Sequence, residues 1–186
     1  MSQGQNKSPQ NKLAQKYQKK TDKQHVLDNP DTYIGSVEKV DTENWLLKDN
    51  EPADITSHSI IYKSHNYIPG LFKLFDEGIV NCRDHVARMA GLEKSKENIP
   101  VSYIDISIDS EGVITMINDG NGIDVAKHPE YDIWIPEMIF GHLRTSTNYE
   151  KDEEKIVGGK NGFGFKLVLI YSKWGEIETV DHIRGK

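Results

Sequence analysis

One 25-residue stretch, "IPGLFKLFDEGIVNCRDHVARMAGL" at residues 68–92, constrains the fold more than any other part of the chain. At ~100° per residue, its apolar side chains share one arc of a helix and its polar side chains gather on the other. Pro69 suits a first helical turn, and Gly91 lies where the helix is expected to end. The apolar arc predicts core positions at Leu71, Phe72, Phe75, Ile79, Cys82, Val86 and Met89.

The polar arc of this predicted helix carries side chains that are suited to chemistry as well as to solvent. It contains Glu77, Asn81, Asp84, His85 and Arg88. Every amphipathic surface helix shows such a division, but Asn is a poor helix former and Gly78 costs ~1 kcal/mol relative to Ala, which predicts a close neighbour beside Glu77. Glu77 can act as a general base, and the Asn81 amide oxygen suits Mg²⁺.

The remaining patterns predict an α+β fold with antiparallel neighbours. Alternation indicates strands, longer apolar runs indicate helices, and clusters of turn-forming residues separate them. The predicted elements are a turn into a strand at 29–38, a loop at 48–58, a hairpin of strands at 101–109 and 113–118, short helices at 134–143 and 165–174, and a strand at 176–180.

Two glycine-rich stretches, "NDGNGI" at 118–123 and "GGKNGFGFK" at 158–166, are candidate ligand loops. The second matches neither the P-loop nor the dinucleotide-binding pattern. It does combine glycine N–H groups, a predicted helix N-terminus and Lys166, which are the ingredients of an anion site. The charged run "NYEKDEEKIV" before it predicts an exposed flexible segment. A glycine-rich surface loop without a ligand is the alternative.

Composition limits the classes of function. A length of 186 residues is enough for one domain with a core, and a net charge of −6 excludes a protein that coats nucleic acid along its whole surface. One cysteine excludes an internal disulfide, and the scattered histidines form no zinc-binding pattern. No apolar run approaches the ~20 residues of a membrane span. Residues 1–16 are polar and basic, and this composition predicts a disordered tail.

Three motifs occur in a recognisable order: E-x-x-x-N at Glu77–Asn81, N-D-G-N-G at 118–122, and G-x-x-G-x-G at 159–164. This order resembles the GHKL (Bergerat-fold) ATPase superfamily of gyrase, the Hsp90 chaperones, MutL and the sensor histidine kinases. The stretches "KTDKQHVLDNPDTYIGSVE", "LFKLFDEGIVNCRDH", "WIPEMIFGHLRTSTNY" and "VGGKNGFGFKLVLIYS" look like the ATPase domain of eukaryotic-type DNA topoisomerase II, including the enzymes of large DNA viruses.

The resemblance covers residues 17–186 and implies a mixed, mostly antiparallel sheet covered on one face by helices. It implies an ATP-operated clamp: two copies bind ATP and Mg²⁺, close as a homodimer and trap DNA, the substrate of the full-length enzyme. The transducer, DNA-cleavage and C-terminal regions are expected outside this chain, so the chain alone is predicted to be a weak ATPase. It implies no membrane association and a location in the nucleus or, for a viral enzyme, in the viral factory or virion.

The same resemblance implies a role for individual residues. Glu77 would be the general base, Asn81 would hold Mg²⁺, and Asn118 would accept the adenine amino group. Ile123 and Ile139 would line the adenine pocket. The stretch near the sugar and phosphates would be Thr145, Ser146, Thr147 and Asn148, and the triphosphate would be wrapped by Lys160, Asn161, Gly162, Phe163, Gly164 and Lys166.

Some positions depart from the family pattern. Lys160 replaces the usual Arg, which keeps the charge but loses the bidentate fork. His85 replaces an Asn near the ligand, which predicts a pH-dependent polar contact. The segment 17–35 is expected to reach across the dimer, with packing in its own subunit as the alternative.

Two other functions remain open at this level. A nucleotide-gated dimerisation module would use the same residues with hydrolysis as an incidental property. A chaperone or mismatch-repair ATPase would use the same fold.

Overall fold

The computed structural model describes residues 19–48, 59–93, 95–143 and 163–186, and it has the predicted α+β class. The helices are α1 (Asp22–Asp28), α2 (Pro30–Tyr33), α3 (Pro69–Ala90), α4 (Ile135–Gly141) and α5 (Gly164–Tyr171). The strands are β1 (Val40–Leu47), β2 (Ile60–Tyr67), β3 (Ile104–Ile108) and β4 (Ile114–Asn118).

The strands pair as antiparallel neighbours in the chain, as the sequence predicts. β1 pairs with β2 along its full length, with Val40 opposite Tyr67. β3 pairs with β4, with Ile104 opposite Asn118, which confirms the predicted hairpin. The described ranges contain two separate two-stranded sheets. Of the broader, mostly antiparallel sheet that the resemblance implies, the described residues form these two hairpins.

The long amphipathic helix forms where its periodicity predicts it. α3 begins at Pro69 and ends at Ala90, and Gly91 follows with a right-handed φ of −79°. Of the predicted core positions, Cys82 and Met89 are buried.

The first turn of α3 departs from the prediction. Leu71 and Phe72 are 58% and 63% exposed, so their assignment to the core is wrong. The helix packs on β4 and α5 near Gly78, two turns further along, and the Phe72 ring meets only the edge of Tyr67, with ring centroids 6.0 Å apart. Helical periodicity identifies the apolar face of a helix, but it does not show how much of that face other elements cover.

The best-buried apolar cluster joins the N-terminal helices to α5. Val26, Ile34 and Leu167 form its centre, and the Tyr171 hydroxyl donates to the carbonyl oxygen of Val26 at 2.6 Å. Residues 22–34 therefore pack on α5 of their own chain.

The predicted passage from a turn into a strand at 29–38 is wrong. Thr21 caps α1 by accepting from the backbone N–H of Gln24 at 3.2 Å, and Pro30 opens the short helix α2. Pro fits a first helical turn because its φ is already close to the helical value. The strand begins only at Val40.

The predicted strand at 176–180 is also absent. The residues opposite it, in the turn after β4, donate their backbone N–H groups to side chains instead of to strand carbonyls. Ile123 N–H donates to Thr179 Oγ1 and Val125 N–H donates to Asp181 Oδ2, both at 2.8 Å. Side-chain acceptors take the place of a ladder at this position.

Asp181 is the anchor of this connection. It is 3% exposed, and Arg184 Nη1 lies 3.0 Å from its Oδ2. Burial alone would raise the pKa of Asp181, but the hydrogen bonds from the backbone N–H groups of Val125 and Arg184 and from the Arg184 guanidinium lower it to about 2. The carboxylate is therefore charged and holds the C-terminal segment to the turn.

Gly122 allows the turn to lie against this segment. A Cβ added at Gly122 would lie 1.9 Å from the carbonyl oxygen of Val180. We expect Gly122→Ala to lower the free energy of unfolding by about 2–4 kcal/mol, because a backbone carbonyl must move. Urea unfolding measures this.

Gly91→Ala is the matched control. Its added Cβ would meet the nearest atom, the Arg88 carbonyl oxygen, at 3.6 Å, and the backbone is already right-handed. We expect a neutral to slightly stabilising effect, up to about 1 kcal/mol. Equal unfolding midpoints for the two variants would contradict the close contact at Gly122.

Candidate functional site

The carboxylate of Glu77 faces the N-terminus of α5. Its side chain is 19% exposed. A Cβ added at Gly164, the first residue of α5, would lie 2.8 Å from Glu77 Oε2. Only a residue without a side chain lets the carboxylate approach the backbone this closely. The structure therefore brings the candidate base and the last glycine of the glycine-rich box together.

The second oxygen of Glu77 is held by Lys73, one helical turn earlier. Lys73 Nζ lies 2.6 Å from Glu77 Oε1 and 4.0 Å from Asp76 Oδ2. The hydrogen bond to Glu77 raises the pKa of Lys73. The two carboxylate oxygens thus have different surroundings, a cation at one and the start of a helix at the other.

The close neighbour that the sequence predicts beside Glu77 is Met116 of β4. A Cβ added at Gly78 would lie 2.5 Å from Met116 Sδ and 3.6 Å from a ring carbon of Phe165. Gly78 is buried. The glycine therefore lets α3 pack on β4 and α5 at the level of the candidate base.

Asn81 follows Glu77 by one turn of α3 and is exposed. Asp84 of the same predicted polar arc is instead buried, with Arg83 Nη1 at 3.6 Å. In the described part of the chain, no group of three or more His, Cys, Asp or Glu side chains could hold a metal.

The turn after β4 is fixed by Asp119 instead of by Asn118. The Asp119 carboxylate accepts from the backbone N–H groups of Ser102 and Tyr103 at 2.7 and 3.0 Å, and from the Ser102 hydroxyl. The Ser102 hydroxyl is the main reason that the pKa of Asp119 is lowered. Asn118 Nδ2 donates to the Asp119 carbonyl oxygen at 3.0 Å, which orients the amide at the end of β4.

His85 connects α3 to the same turn. Its Nε2 lies 2.9 Å from the carbonyl oxygen of Asn121. Because a carbonyl oxygen can only accept, Nε2 carries the proton. Burial lowers the pKa of His85, and Arg88 lowers it further. The sequence predicts a polar contact for His85, and the structure shows that its partner is the backbone of the turn.

α5 carries the third part of the site. Lys166 in its first turn is 5% exposed, and burial lowers the pKa of Lys166 to about 8. Phe163 precedes the helix and packs near Tyr33, with ring centroids 6.1 Å apart. Phe165 packs edge-on against Phe140 of α4 at 5.7 Å. The aromatic contacts fix the start of α5 between α2 and α4.

The two predicted adenine-pocket residues lie on different elements. Ile123 is half-buried in the turn after β4 and is held there by Thr179. Ile139 is half-buried in α4, which packs on α5. Seven further predicted site residues lie outside the described ranges: Thr145, Ser146, Thr147, Asn148, Lys160, Asn161 and Gly162.

Three residues at the site were missed by sequence reasoning. Lys73 could have been found, because it precedes Glu77 by four residues on a predicted helix. Tyr33 and Thr179 could not, because each acts on an element far away in the chain.

Two open cavities of the described residues lie away from Glu77 and Gly164. One, of about 430 Å³, is open and is lined by Val125, Trp134, Pro136, Ile177, Glu178, Thr179 and Lys186. The other, of about 250 Å³, lies against Val86 and residues 101–104. No helix in the described ranges is long and apolar enough to span a membrane.

Comparison with known proteins identifies the relatives of this arrangement. No protein-family model matches the chain. DNA topoisomerase 2 of Acanthamoeba polyphaga mimivirus is 49% identical over 182 residues, and that of Saccharomyces cerevisiae is 42% identical over 169 residues. These matches cover 97% and 90% of this chain but 14% and 11% of the relatives' length.

Solved structures agree with the sequence matches. The ATPase region of Saccharomyces cerevisiae topoisomerase II matches with a TM-score of 0.72 and 43% identity over 86% of this chain and 38% of that chain. This chain is a homologue of the ATPase region of DNA topoisomerase II. The ATPase and transducer domains of the Balamuthia mandrillaris enzyme match with a TM-score of 0.73 and 40% identity, over 90% of this chain and 38% of that chain. The predicted resemblance and fold class are confirmed.

The buried lysine of this topoisomerase II homologue gives a test by pH. In the folded chain the pKa of Lys166 is about 8, below its ordinary value of 10.5. The unfolded chain thus retains this proton over a pH range in which the folded chain releases it, so the penalty for burying the charge is fully present below about pH 8 and is lost as the pH rises to 10.5. We expect the stability of Lys166→Met relative to wild type to decrease as the pH rises from about 8 to 10.5.

Urea unfolding at several pH values measures this difference, with Lys63→Met at an exposed position of β2 as the control. A difference that stays constant with pH for Lys166→Met would contradict the lowered pKa.

Proposed function

We propose that this chain binds ATP with Mg²⁺ and hydrolyses ATP as the N-terminal gate of a type IIA DNA topoisomerase. The observation that carries the proposal is the approach of the Glu77 carboxylate to the backbone of Gly164 at the start of α5. It puts a candidate base beside the N-terminal N–H groups and the positive dipole end of a helix, where phosphate groups bind.

The residues present fit a magnesium-bound triphosphate. Lys166 supplies positive charge in the first turn of α5, and Gly164 leaves room for close contact with the backbone. The Asn81 amide oxygen would hold Mg²⁺, and the ion would neutralise charge that develops on the phosphate oxygens. Because Asn81 is exposed, a ligand can reach it.

Glu77 would orient and deprotonate the attacking water through Oε2, the oxygen that faces α5. Asn118 would accept a hydrogen bond from the adenine amino group through its amide oxygen. Its Nδ2 already donates to the Asp119 carbonyl oxygen, which leaves the amide oxygen for this role. Ile123 and Ile139 would line the adenine pocket. The sugar and phosphates would be held by Thr145, Ser146, Thr147, Asn148, Lys160, Asn161, Gly162, Phe163, Gly164 and Lys166.

Within a type IIA enzyme, residues 17–186 would form the ATPase domain and residues 1–16 a tail. ATP binding would close two copies as a homodimer on DNA, and the transducer and DNA-cleaving regions would be supplied by the rest of the enzyme. Hydrolysis by this chain alone would then be slow. The relatives in yeasts and in a mimivirus support a location in the nucleus or in a viral factory or virion.

Nucleotide binding can be tested by thermal and urea unfolding with Mg²⁺ and a non-hydrolysable ATP analogue. At a hundred times its Kd, the analogue should stabilise the chain by about 2.7 kcal/mol. Asn81→Ala should reduce this stabilisation, whereas Asn66→Ala at an exposed position of β2 should not. An equal stabilisation of both variants would exclude Asn81 from the site, and no stabilisation of wild type would contradict the proposal.

A pure nucleotide-gated dimerisation module is the second candidate, because Asn81 and Lys166 could bind nucleotide without any role for Glu77 as a base. Glu77→Gln separates the two, since Gln keeps an acceptor oxygen but cannot take the proton. We expect it to retain binding of the analogue and to lose single-turnover hydrolysis of ATP by about a hundredfold or more. Unchanged hydrolysis would favour the second candidate.

A further inference from the structure

The ion pair between Lys73 and Glu77 gives the two oxygens of the Glu77 carboxylate different neighbours. Lys73 Nζ lies 2.6 Å from Oε1. Oε2 is the oxygen that an added Cβ at Gly164 would approach to 2.8 Å. A carboxylate held at one oxygen by a hydrogen-bonded cation keeps the other in a defined direction.

Several elements surround this carboxylate, and their charges must be counted together. α3 contributes Lys73 and, beside it, Asp76, 4.0 Å from Nζ. α5 faces the carboxylate at Gly164, and Lys166 lies in the same first turn of that helix. β4 contributes Met116 beside Gly78, and its residues Ile114–Asn118 include no titratable side chain. Among the ion pairs of the described residues, the cation paired with Glu77 is Lys73.

We infer that Lys73 is a positioning residue for the proposed base: it holds Oε1 of Glu77 so that Oε2 faces the start of α5. This inference rests on the proposed function. Lys73 itself acts only through Glu77, because its Nζ contacts the oxygen that does not face Gly164.

A solvated surface pair is the competing explanation. Exposed pairs at this spacing contribute little to stability because two mobile side chains must be fixed in water. Here the lysine is 45% exposed, but the glutamate is only 19% exposed. Its carboxylate lies against the start of α5, next to the position where Gly78 packs on Met116. Removal of Lys73 should therefore leave the fold intact and change the orientation of the Glu77 carboxylate.

The test uses Lys73→Met, the conservative variant Lys73→Arg, and Lys127→Met as a matched control. Lys127 forms an exposed ion pair with Asp132 at 2.8 Å that is separate from this site. The first measurement is the ¹³C chemical shift of the Glu77 carboxyl carbon at one pH, which needs no turnover. In Lys73→Met this resonance should move, because the hydrogen-bonded cation at Oε1 is lost.

The second measurement is single-turnover ATP hydrolysis, together with the Kd of a non-hydrolysable analogue. In Lys73→Met, hydrolysis should fall by about tenfold, while Kd changes by less than about twofold. Lys73→Arg should restore the rate. The double variant Lys73→Met/Glu77→Gln should be no slower than Glu77→Gln alone.

The outcomes separate this inference from the proposed function. If Glu77→Gln abolishes hydrolysis but Lys73→Met changes neither the carboxyl resonance nor the rate of hydrolysis, Lys73 has no positioning role and the proposed function stands. If Glu77→Gln hydrolyses ATP like wild type, the proposed function fails. A loss of rate that Lys127→Met reproduces would also overturn the inference, because it would be an effect of net charge.

Discussion

The site depends on the close packing of α3 against α5, and two glycines make that packing possible. Gly78 lets Met116 and Phe165 rest on α3, and Gly164 lets the Glu77 carboxylate meet the first turn of α5. A side chain at either position would separate the helices or turn the carboxylate away. Glycine at position 78 lowers the intrinsic stability of α3, but it allows the close packing that brings the carboxylate of Glu77 to the N-terminus of α5.

Polar side chains hold the turn after β4 in place. Asp119 fixes this turn to the residues before β3, His85 joins it to α3, and Asp181 holds its far end. Each contact satisfies a backbone group that has no strand partner, which is how an irregular turn can keep a defined shape. In the proposed function, this turn would present Asn118 to the nucleotide.

Local patterns predicted much of this molecule. The bounds of α3, the β3–β4 hairpin and the helix at Gly164 followed from periodicity and turn residues, and the need for glycine at position 78 followed from helix propensity. The bonds of Thr179 and Asp181 to the turn could not be predicted, because they join residues more than fifty positions apart. The composition of 176–180 indicated a strand, but no strand forms there, because side chains instead of backbone carbonyls accept the N–H groups of the neighbouring turn.

A crystal structure with a non-hydrolysable ATP analogue and Mn²⁺ in place of Mg²⁺ tests the central claim most directly, since anomalous scattering locates the metal. The account predicts a manganese peak beside the Asn81 amide oxygen, with the terminal phosphate at the N-terminus of α5 and near Glu77 Oε2. Nucleotide bound instead in the cavity lined by Trp134 and Ile177, with Glu77 and Gly164 free of it, would contradict the account.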